Sequence, residues 1–150
     1  MNMAIERTDL LGSWALQRTY ETVDGTGTGR HPLGEGASGV LHYLPDDRMA
    51  VLMANGGRTT MSKGRYNSGE AETADSARTF TAYAGTFTVQ GDDIVHHLDL
   101  CLYENHSGTD YLRHARREDD RLTLSMPPVT TARGEVQWHL EWRRLSSFEG

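Results

Sequence analysis

The feature of the sequence that most constrains its fold is an alternation of apolar and polar residues in short runs. Within residues 13–23, for example, Trp14, Leu16 and Tyr20 share one phase of the alternation, and polar residues occupy much of the other. Successive side chains of a β-strand point to opposite faces, whereas the residues on one face of a helix recur every three or four positions. The alternation therefore predicts that most of the chain forms strands with one apolar face.

About eight runs of this kind follow one another, and turn residues separate several of them. The predicted strands span residues 13–23, 39–44, 49–55, 79–89, 94–104, 109–117, 121–126 and 135–145. Three of the connections are the tripeptides Pro45-Asp46-Asp47, Gly91-Asp92-Asp93 and Glu118-Asp119-Asp120. Such residues favour tight turns, because proline fixes φ and glycine and aspartate tolerate positive φ. Consecutive runs are therefore predicted to pair as antiparallel hairpins.

One segment departs from the alternation and indicates a helix. Ala71, Ala74 and Ala77 recur at helical spacing, so a short helix is predicted near residues 70–79. The remainder indicates an all-β fold, in which about eight hairpin strands form a closed antiparallel up-and-down barrel or a sandwich. A barrel of about eight strands has an interior that holds side chains or one small ligand. The 150 residues have the length of one domain, so we expect residues 1–150 to form a single barrel.

The charge and the cysteine content narrow the partners and the compartment. The formal net charge is -6, and an acidic surface repels phosphate backbones and anionic lipids, so we expect neither nucleic acid nor a membrane as a partner. Cys101 is the single cysteine, which rules out an intrachain disulfide and fits a reducing compartment. The first residues show neither the basic nor the apolar region of a secretion signal. The expected location is therefore cytoplasmic.

Several short motifs occur in the same order as in a known family. Gly12-Ser13-Trp14 opens the first predicted strand as the Gly-x-Trp motif does in lipocalins, and Trp142-Arg143-Arg144 lies in the last predicted strand. With these motifs the chain resembles the bacterial and fungal lipocalin-like domain family along nearly its whole length. The other matching stretches are His31-Pro32-Leu33-Gly34, residues 39–43 with Pro45-Asp46, Ala82-Tyr83-Ala84-Gly85, Val95-His96-His97, Asn105, Gly108-Thr109, Arg113, Leu122-Thr123-Leu124-Ser125 and Pro127-Pro128.

The resemblance implies a lipocalin-like barrel whose cavity binds a small hydrophobic or aromatic molecule. In lipocalins an arginine of the last strand covers the first tryptophan, which makes Arg143 or Arg144 the expected cover for Trp14. The sequence departs from the family in two loops: Glu104 and His106 replace the usual Pro and Trp in one, and Asp46-Asp47 replaces Asp-Gly in the first hairpin. The family includes carriers as well as enzymes that cyclise or isomerise an enclosed substrate, so the fold alone does not determine the function.

The phase of the apolar residues indicates which side chains face the interior, because the interior of a small barrel is filled by one face of every strand. We therefore predict a ligand-binding set on this inner face. Its members are Trp14, Tyr20, Tyr83, Leu98, Leu100, Tyr111, Leu124, Trp138 and Leu140. The phase is ambiguous in the strand of Tyr111, which is placed inside together with Arg113 mainly on the resemblance.

Four polar side chains are the candidates for catalysis: Arg18, His42, His96 and Arg113. The first three alternate in step with apolar residues of their strands and are therefore expected on the same face. Arg113 is placed inside mainly on the resemblance. A buried arginine needs an anion or a carbonyl oxygen, since an unpaired charge in a medium of low dielectric constant is costly. In the functional interpretation, the two arginines hold a carboxylate, enolate or carbonyl oxygen, and His96 moves protons near neutral pH. In the alternative interpretation, the arginines cover Trp14 or bind backbone carbonyls.

Adjacent residues of a strand point to opposite faces, so only one of His96 and His97 faces the interior. The sequence leaves two alternatives. In the first phase, His96 faces the interior and His97 faces outward. If a β-bulge shifts the phase, the lining consists instead of His97, Asp99, Cys101 and Tyr103, and the first two of these form a pair suited to acid–base chemistry.

Two functions follow from these expectations. The first is a cofactor-free cyclase or isomerase of secondary metabolism, which confines a polyketide-like intermediate while Arg and Tyr donors stabilise charge on an oxygen. The second is a non-catalytic carrier or sequestering protein for a similar molecule. Polar groups in the predicted cavity favour the enzyme. The scattered histidines and the single cysteine predict no metal site, no cofactor is expected, and the oligomeric state is open, with a homodimer among the alternatives.

Overall fold

The computed structural model describes residues 5–148, most of which lie in β-strands. The strands are β1 (Gly12–Val23), β2 (Thr26–Gly27), β3 (Ser38–Tyr43), β4 (Arg48–Ala54), β5 (Phe80–Gln90), β6 (Asp93–Cys101), β7 (Asp110–Glu118), β8 (Arg121–Ser125), β9 (Val129–Thr131) and β10 (Gly134–Ser147). The helices are α1 (Arg7–Leu10), α2 (Glu70–Arg78) and a 3-10 turn at Glu104–His106. Within residues 5–148, none of the helices has the length and apolar character needed to cross a membrane.

Eight of the strands form one closed antiparallel barrel. Neighbouring strands pair in the order β1-β3-β4-β5-β6-β7-β8-β10, and the pairing of β10 with β1 closes the ring. The short strands β2 and β9 are additions that pair with β1 and β10 respectively. The prediction of a closed up-and-down barrel of about eight strands is confirmed, and so is the prediction of a short helix near residues 70–79.

A register shift in β1 changes which of its side chains face the interior. Leu16 is buried, and the pairing of β1 with β10 shifts between Leu16 and Arg18. Beyond the shift, Thr19 and Glu21 are the buried residues, because one extra residue reverses the face of every side chain that follows it. The interior positions predicted for Arg18 and Tyr20 are therefore wrong.

Both displaced side chains take part in a cluster on the outer face of the barrel. The Nε of Arg18 lies 2.9 Å from Oε2 of Glu141, and its guanidinium carbon lies 4.5 Å from the ring centre of Tyr20. The ring of Tyr20 stacks on the imidazole of His139, with 4.7 Å between the ring centres. The charge of Arg18 is thus paired on the surface of the barrel.

A second register shift lies where β5 pairs with β6. Leu98 pairs with Gly85 and the next pair is formed by Leu100, so Asp99 is the extra residue. A Cβ atom on Gly85 would lie 1.7 Å from the carbonyl oxygen of His97, so only glycine fits at this close approach. Leu98 is 2% exposed, whereas Leu100 is 70% exposed. The interior position predicted for Leu100 is therefore wrong.

The position of this shift decides between the two phases at His96 and His97. His96 is fully buried, whereas His97 lies on the outer face with its Nδ1 atom 2.9 Å from Oδ1 of Asp110. The first phase therefore holds through Leu98. The second phase applies only beyond the shift, where Cys101 packs against the core.

His42 also lies on the outer face of the barrel. Leu41 and Tyr43 are fully buried, so the side chain between them points outward, and Nδ1 of His42 lies 2.8 Å from Oγ of Ser13. The interior position predicted for His42 is wrong because β3 carries apolar residues in both phases, and the other phase is the buried one.

Packed aromatic and aliphatic side chains fill one end of the barrel. Its fully buried or nearly fully buried members are Leu10, Trp14, Leu41, Tyr43, Phe87, Ile94, Leu122 and Trp142. Leu10 belongs to α1, and its carbonyl oxygen accepts a hydrogen bond of 2.9 Å from Nε1 of Trp14. The short helix therefore closes this end of the barrel.

Arg144 is the arginine that covers Trp14. Its guanidinium carbon lies 4.2 Å from the indole ring centre, and the guanidinium donates hydrogen bonds to the carbonyls of Leu11, at 3.1 Å, and of Asp9. Arg143 is exposed. Of the two arginines expected to cover the tryptophan, Arg144 does so, and it joins β10 to the residues around the end of α1.

We expect Arg144→Met to lower the free energy of unfolding by about 2–4 kcal/mol, because it removes charge-assisted hydrogen bonds and a cation–π contact at a partly buried position. Arg143→Met is the matched control, since it removes the same charge from an exposed position, and we expect a change below about 0.5 kcal/mol. Urea unfolding followed by circular dichroism measures both. Equal losses in the two variants would contradict the role assigned to Arg144.

Candidate functional site

A cavity of about 430 Å3 occupies the part of the barrel that the packed side chains leave open. Most of its wall is apolar or aromatic. The lining residues are Thr19, Pro32, Leu33, Met53, Thr81, Tyr83, His106, Tyr111, Arg113, Met126, Pro127, Trp138, His139 and Leu140. Pockets for small organic ligands measure roughly 300–1,000 Å3, so the cavity has the size of a ligand site.

The cavity brings together several of the predicted site residues. Those that line it are Tyr83, Tyr111, Arg113, Trp138 and Leu140. Trp14, Leu98 and Leu124 also face the interior, but they are buried in the packed core and do not line the cavity. The predicted role of the lining residues in ligand binding stays a prediction.

His96 lies behind the cavity wall, between two tyrosines. Its Nε2 atom is 2.7 Å from the hydroxyl oxygen of Tyr43, and its Nδ1 atom is 2.8 Å from the hydroxyl oxygen of Tyr83. Burial, together with the charge of Arg113, lowers the pKa of His96 to about 3. The imidazole is therefore neutral near pH 7, which differs from the expectation that His96 moves protons there.

The hydrogen bonds of His96 determine which way the two hydroxyl groups point. Tyr43 is fully buried and has His96 as its hydrogen-bond partner, so its hydroxyl donates to Nε2. The neutral imidazole then carries its proton on Nδ1 and donates it to the oxygen of Tyr83. Because the oxygen of Tyr83 accepts this hydrogen bond, its hydroxyl group can donate its own proton to another acceptor. Tyr83 lines the cavity. We therefore assign Tyr83 as a hydrogen-bond donor to the cavity.

Both phenol groups are protonated at neutral pH. Burial raises the pKa of Tyr83 to about 12, although the charge and hydrogen bonding of Arg113 act in the opposite direction. Burial also raises the pKa of Tyr43 well above its usual range. The direction of the hydrogen bonds through His96 therefore stays the same across the neutral range.

Arg113 brings a positive charge to the cavity wall. It is partly buried on β7, with its guanidinium carbon 4.7 Å from the ring centre of Tyr111 and Nη1 3.0 Å from the carbonyl oxygen of Leu112. Among residues 5–148, this guanidinium contacts an aromatic ring and a backbone carbonyl, and no carboxylate lies within ion-pairing distance of it. The interior position predicted for Arg113 agrees with the structure. The described residues supply no carboxylate that pairs with its guanidinium.

Aromatic rings form the wall beside Arg113. Tyr111 packs edge-on against Tyr83, with 5.1 Å between the ring centres, and it forms a hydrogen bond with Nδ1 of His106. The ring of Tyr103 lies 4.7 Å from that of His106. His106 belongs to the loop that departs from the family pattern, and sequence reasoning did not include it among the site residues.

Glu21 is a buried carboxylate that the alternation places on the wrong face. Its Oε1 atom lies 2.6 Å from Nη2 of Arg133 and 3.1 Å from Oγ1 of Thr28, and its Oε2 atom accepts a hydrogen bond of 3.1 Å from Nε1 of Trp138. The hydrogen bond from Arg133 is the main reason that the pKa of Glu21 is lowered to about 2. Glu21 therefore holds the indole of Trp138 in the cavity wall.

We expect the fold to lose about 2 kcal/mol of stability between pH 7 and pH 5 because of His96. The pKa of His96 is about 3 in the fold and about 6.5 in the unfolded chain, so the unfolded state alone takes up the proton in this interval. Stability therefore falls as the pH falls, by about 1.4 kcal/mol per unit well below pH 6.5. Glu21 adds little here, because its pKa shift acts only below about 4.5.

The matched comparison for this prediction is His96→Gln, whose amide forms hydrogen bonds but does not titrate. Urea unfolding of both proteins at pH 7 and pH 5 gives the two pH dependences. The wild type is expected to lose about 2 kcal/mol more than the variant. The same pH dependence in both proteins would contradict the low pKa of the buried imidazole.

Comparison with known proteins agrees with this architecture. The model of the lipocalin-like domain family matches residues 11–145, a segment that contains every lining residue of the cavity. A comparison with curated proteins finds no match. Because the family match extends over most of the chain and the structure has the corresponding closed barrel, the chain belongs to the lipocalin-like domain family.

Proposed function

We propose that the barrel binds a small, mostly apolar molecule through one anionic or carbonyl oxygen, and that it acts on this molecule as a cofactor-free isomerase or cyclase. A lipocalin-like barrel by itself suggests small-molecule binding. The observation that carries the proposal further is the guanidinium of Arg113 at the cavity wall, without a carboxylate partner among residues 5–148.

The cost of burying the charge of Arg113 favours a ligand with an oxygen atom beside its guanidinium. The guanidinium of Arg113 is partly buried, so part of the cost of removing a charge from water applies to it, and a carboxylate or enolate offsets that cost through charge-assisted hydrogen bonds of about 1.5–3 kcal/mol each. The hydroxyl of Tyr83 is a second donor beside Arg113. The rest of the lining, such as Leu33, Met53 and Trp138, offers apolar contact to the remainder of the molecule.

The same arrangement supports catalysis. Donors that are already oriented toward an oxygen stabilise negative charge as it develops there, and this effect is often the largest one in catalysis. Arg113 and Tyr83 would polarise a carbonyl in this way, while the cavity wall holds the chain in a reactive conformation. Ring closure or isomerisation of a conjugated, polyketide-like intermediate in secondary metabolism needs both of these contributions and no cofactor.

A carrier or sequestering protein is the second candidate. The observation that favours it is the composition of the lining, which contains neither Asp nor Glu among the described residues and so offers no carboxylate base to a bound molecule. Arg113 would then serve only to hold the anionic end of the cargo.

Two dyes of nearly the same shape test the anion site. We expect 1-anilinonaphthalene-8-sulfonate, which is anionic, to bind Arg113→Leu about 10–100-fold more weakly than the wild type, because a charge-assisted hydrogen bond is lost. The neutral N-phenyl-1-naphthylamine is expected to keep its affinity within about threefold. Fluorescence titration measures both dissociation constants.

The matched control for the dye experiment is Arg116→Leu. It removes the same charge from the same strand, at an exposed position next to the interior-facing Ala115. We expect this variant to bind both dyes as the wild type does. If the two variants weaken sulfonate binding equally, or if Arg113→Leu weakens both dyes equally, the anion site is contradicted.

Tyr83→Phe separates the enzyme from the carrier. Small molecules that co-purify with the protein are identified by mass spectrometry and are then incubated with ligand-free protein. For an enzyme, we expect conversion of the molecule, and a loss of about 10²–10³-fold in kcat when the Tyr83 donor is removed. His42→Ala, on the outer face, is the control that retains turnover. If no ligand is converted and only affinity changes, the protein is a carrier.

A further inference from the structure

A groove of about 570 Å3 adjoins the ligand cavity. It lies between the C-terminal end of α2, the beginning of β5 and the end of β6. Its lining residues are Ala77, Arg78, Phe80, Thr81, Ala82, Cys101, Leu102, Tyr103, His106 and Tyr111. Most of them are apolar or aromatic, so the groove resembles the cavity in its chemistry.

The groove and the cavity share three lining residues. Thr81, His106 and Tyr111 line both of them. The hydrogen bond between His106 and Tyr111 therefore lies at the junction. A molecule that is held at Arg113 and is longer than the cavity would meet this hydrogen-bonded pair before it reached the groove.

Apolar side chains of the groove lack a cover from the protein itself. Leu102 is 51% exposed and Tyr103 is 54% exposed. Helix α2 contributes Ala77 to the lining, yet none of its residues is buried. The helix is attached instead by polar contacts, such as the hydrogen bonds of 2.8 and 2.6 Å from Ser62 to the carboxylate of Glu72. The alanine at position 77 therefore borders open space.

Several of the polar groups in the groove are already engaged. The hydroxyl oxygen of Tyr103 accepts a hydrogen bond of 3.1 Å from Asn105, and His106 and Tyr111 bond to each other. The groove lining contains no carboxylate among the described residues. Arg78 is the one charged residue of the described lining and is exposed, so the remaining residues offer an occupant mainly apolar contact.

We propose that the groove is a second subsite that binds the apolar tail of an elongated ligand whose oxygen-bearing head lies at Arg113. This inference rests on the proposed function, because it takes the head of the ligand to be in the cavity. The ligand class is a long amphiphile with a single acidic or carbonyl end and an unbranched or conjugated tail. The tail passes the junction at His106 and Tyr111 and covers Leu102 and Tyr103.

A series of n-alkanoates tests the length of the site. Calorimetry or displacement of a fluorescent dye gives dissociation constants for octanoate, dodecanoate and hexadecanoate, each kept below its aggregation concentration. Each methylene that is fully buried tightens binding by up to about fourfold. We expect hexadecanoate to bind the wild type at least about 15-fold more tightly than dodecanoate, because the four additional methylenes enter the groove.

Ala82→Trp places a bulky side chain in the groove from the outer face of β5. We expect this variant to reduce the ratio between the dodecanoate and hexadecanoate dissociation constants to about threefold or less. Ala84→Trp is the matched control on the same strand and face, outside the groove, and it is expected to keep the wild-type ratio. Ala77→Trp, at an exposed position of α2, fills the groove from the opposite side if Ala82→Trp does not fold.

The outcomes distinguish this inference from the proposed function. Octanoate binding that weakens in Arg113→Leu supports the head site. Suppose that octanoate binding weakens in this way, but Ala82→Trp and Ala77→Trp keep the wild-type ratio, or the wild type binds hexadecanoate no more tightly than dodecanoate. The groove subsite is then overturned, and the head site at Arg113 stands. If octanoate binds equally well without Arg113, the head site fails and takes the inference with it. Absence of binding at every length overturns both.

Discussion

Pairing of β10 with β1 is the constraint on which the rest of the structure depends. The two strands pair from Gly12 with Ser147 to Val23 with Val136, and this pairing converts an open sheet into a tube without an exposed edge between its end strands. Closure gives alternate side chains of eight strands one common interior. One end of that interior is filled by the packed residues around Trp14, and the other end remains open, so the same closure provides both the core and the ligand site.

Glu21 and Arg113 both reach the interior, but their surroundings differ. The carboxylate of Glu21 is surrounded by donors from Arg133, Trp138 and Thr28, so its negative charge is balanced within the protein. The guanidinium of Arg113 has aromatic and backbone neighbours and no carboxylate among residues 5–148. The negative charge of Glu21 is paired with a cation, whereas the positive charge of Arg113 is not paired with a carboxylate. Arg113 therefore determines the electrostatic character of the cavity. That imbalance favours a ligand with a negative or partially negative oxygen over a purely apolar one.

The strand order, the barrel closure and the interior positions of Arg113 and Tyr83 could be predicted from the alternation and from the family resemblance. The positions of the bulges could not, because they depend on contacts between strands, such as the approach of the His97 carbonyl to Gly85. A single extra residue reverses every face assignment beyond it. The residues misassigned for this reason are Arg18, Tyr20 and Leu100, and the burial of Glu21 is missed for the same reason. His42 is misassigned because its strand is apolar in both phases, and periodicity alone does not decide between them.

The position of His96 explains how the cavity can keep a fixed arrangement of donors. A neutral imidazole between two phenols has one donor and one acceptor, so the orientation of Tyr43 determines the orientation of Tyr83. Burial lowers the pKa of His96 to about 3 and raises that of Tyr83 to about 12, so neither group changes its protonation between these limits. An arginine side chain also keeps its charge over this range. The donors formed by Tyr83 and Arg113 therefore keep their arrangement across the neutral range, and the affinity for an oxygen-bearing ligand depends on their geometry and on the shape of the cavity.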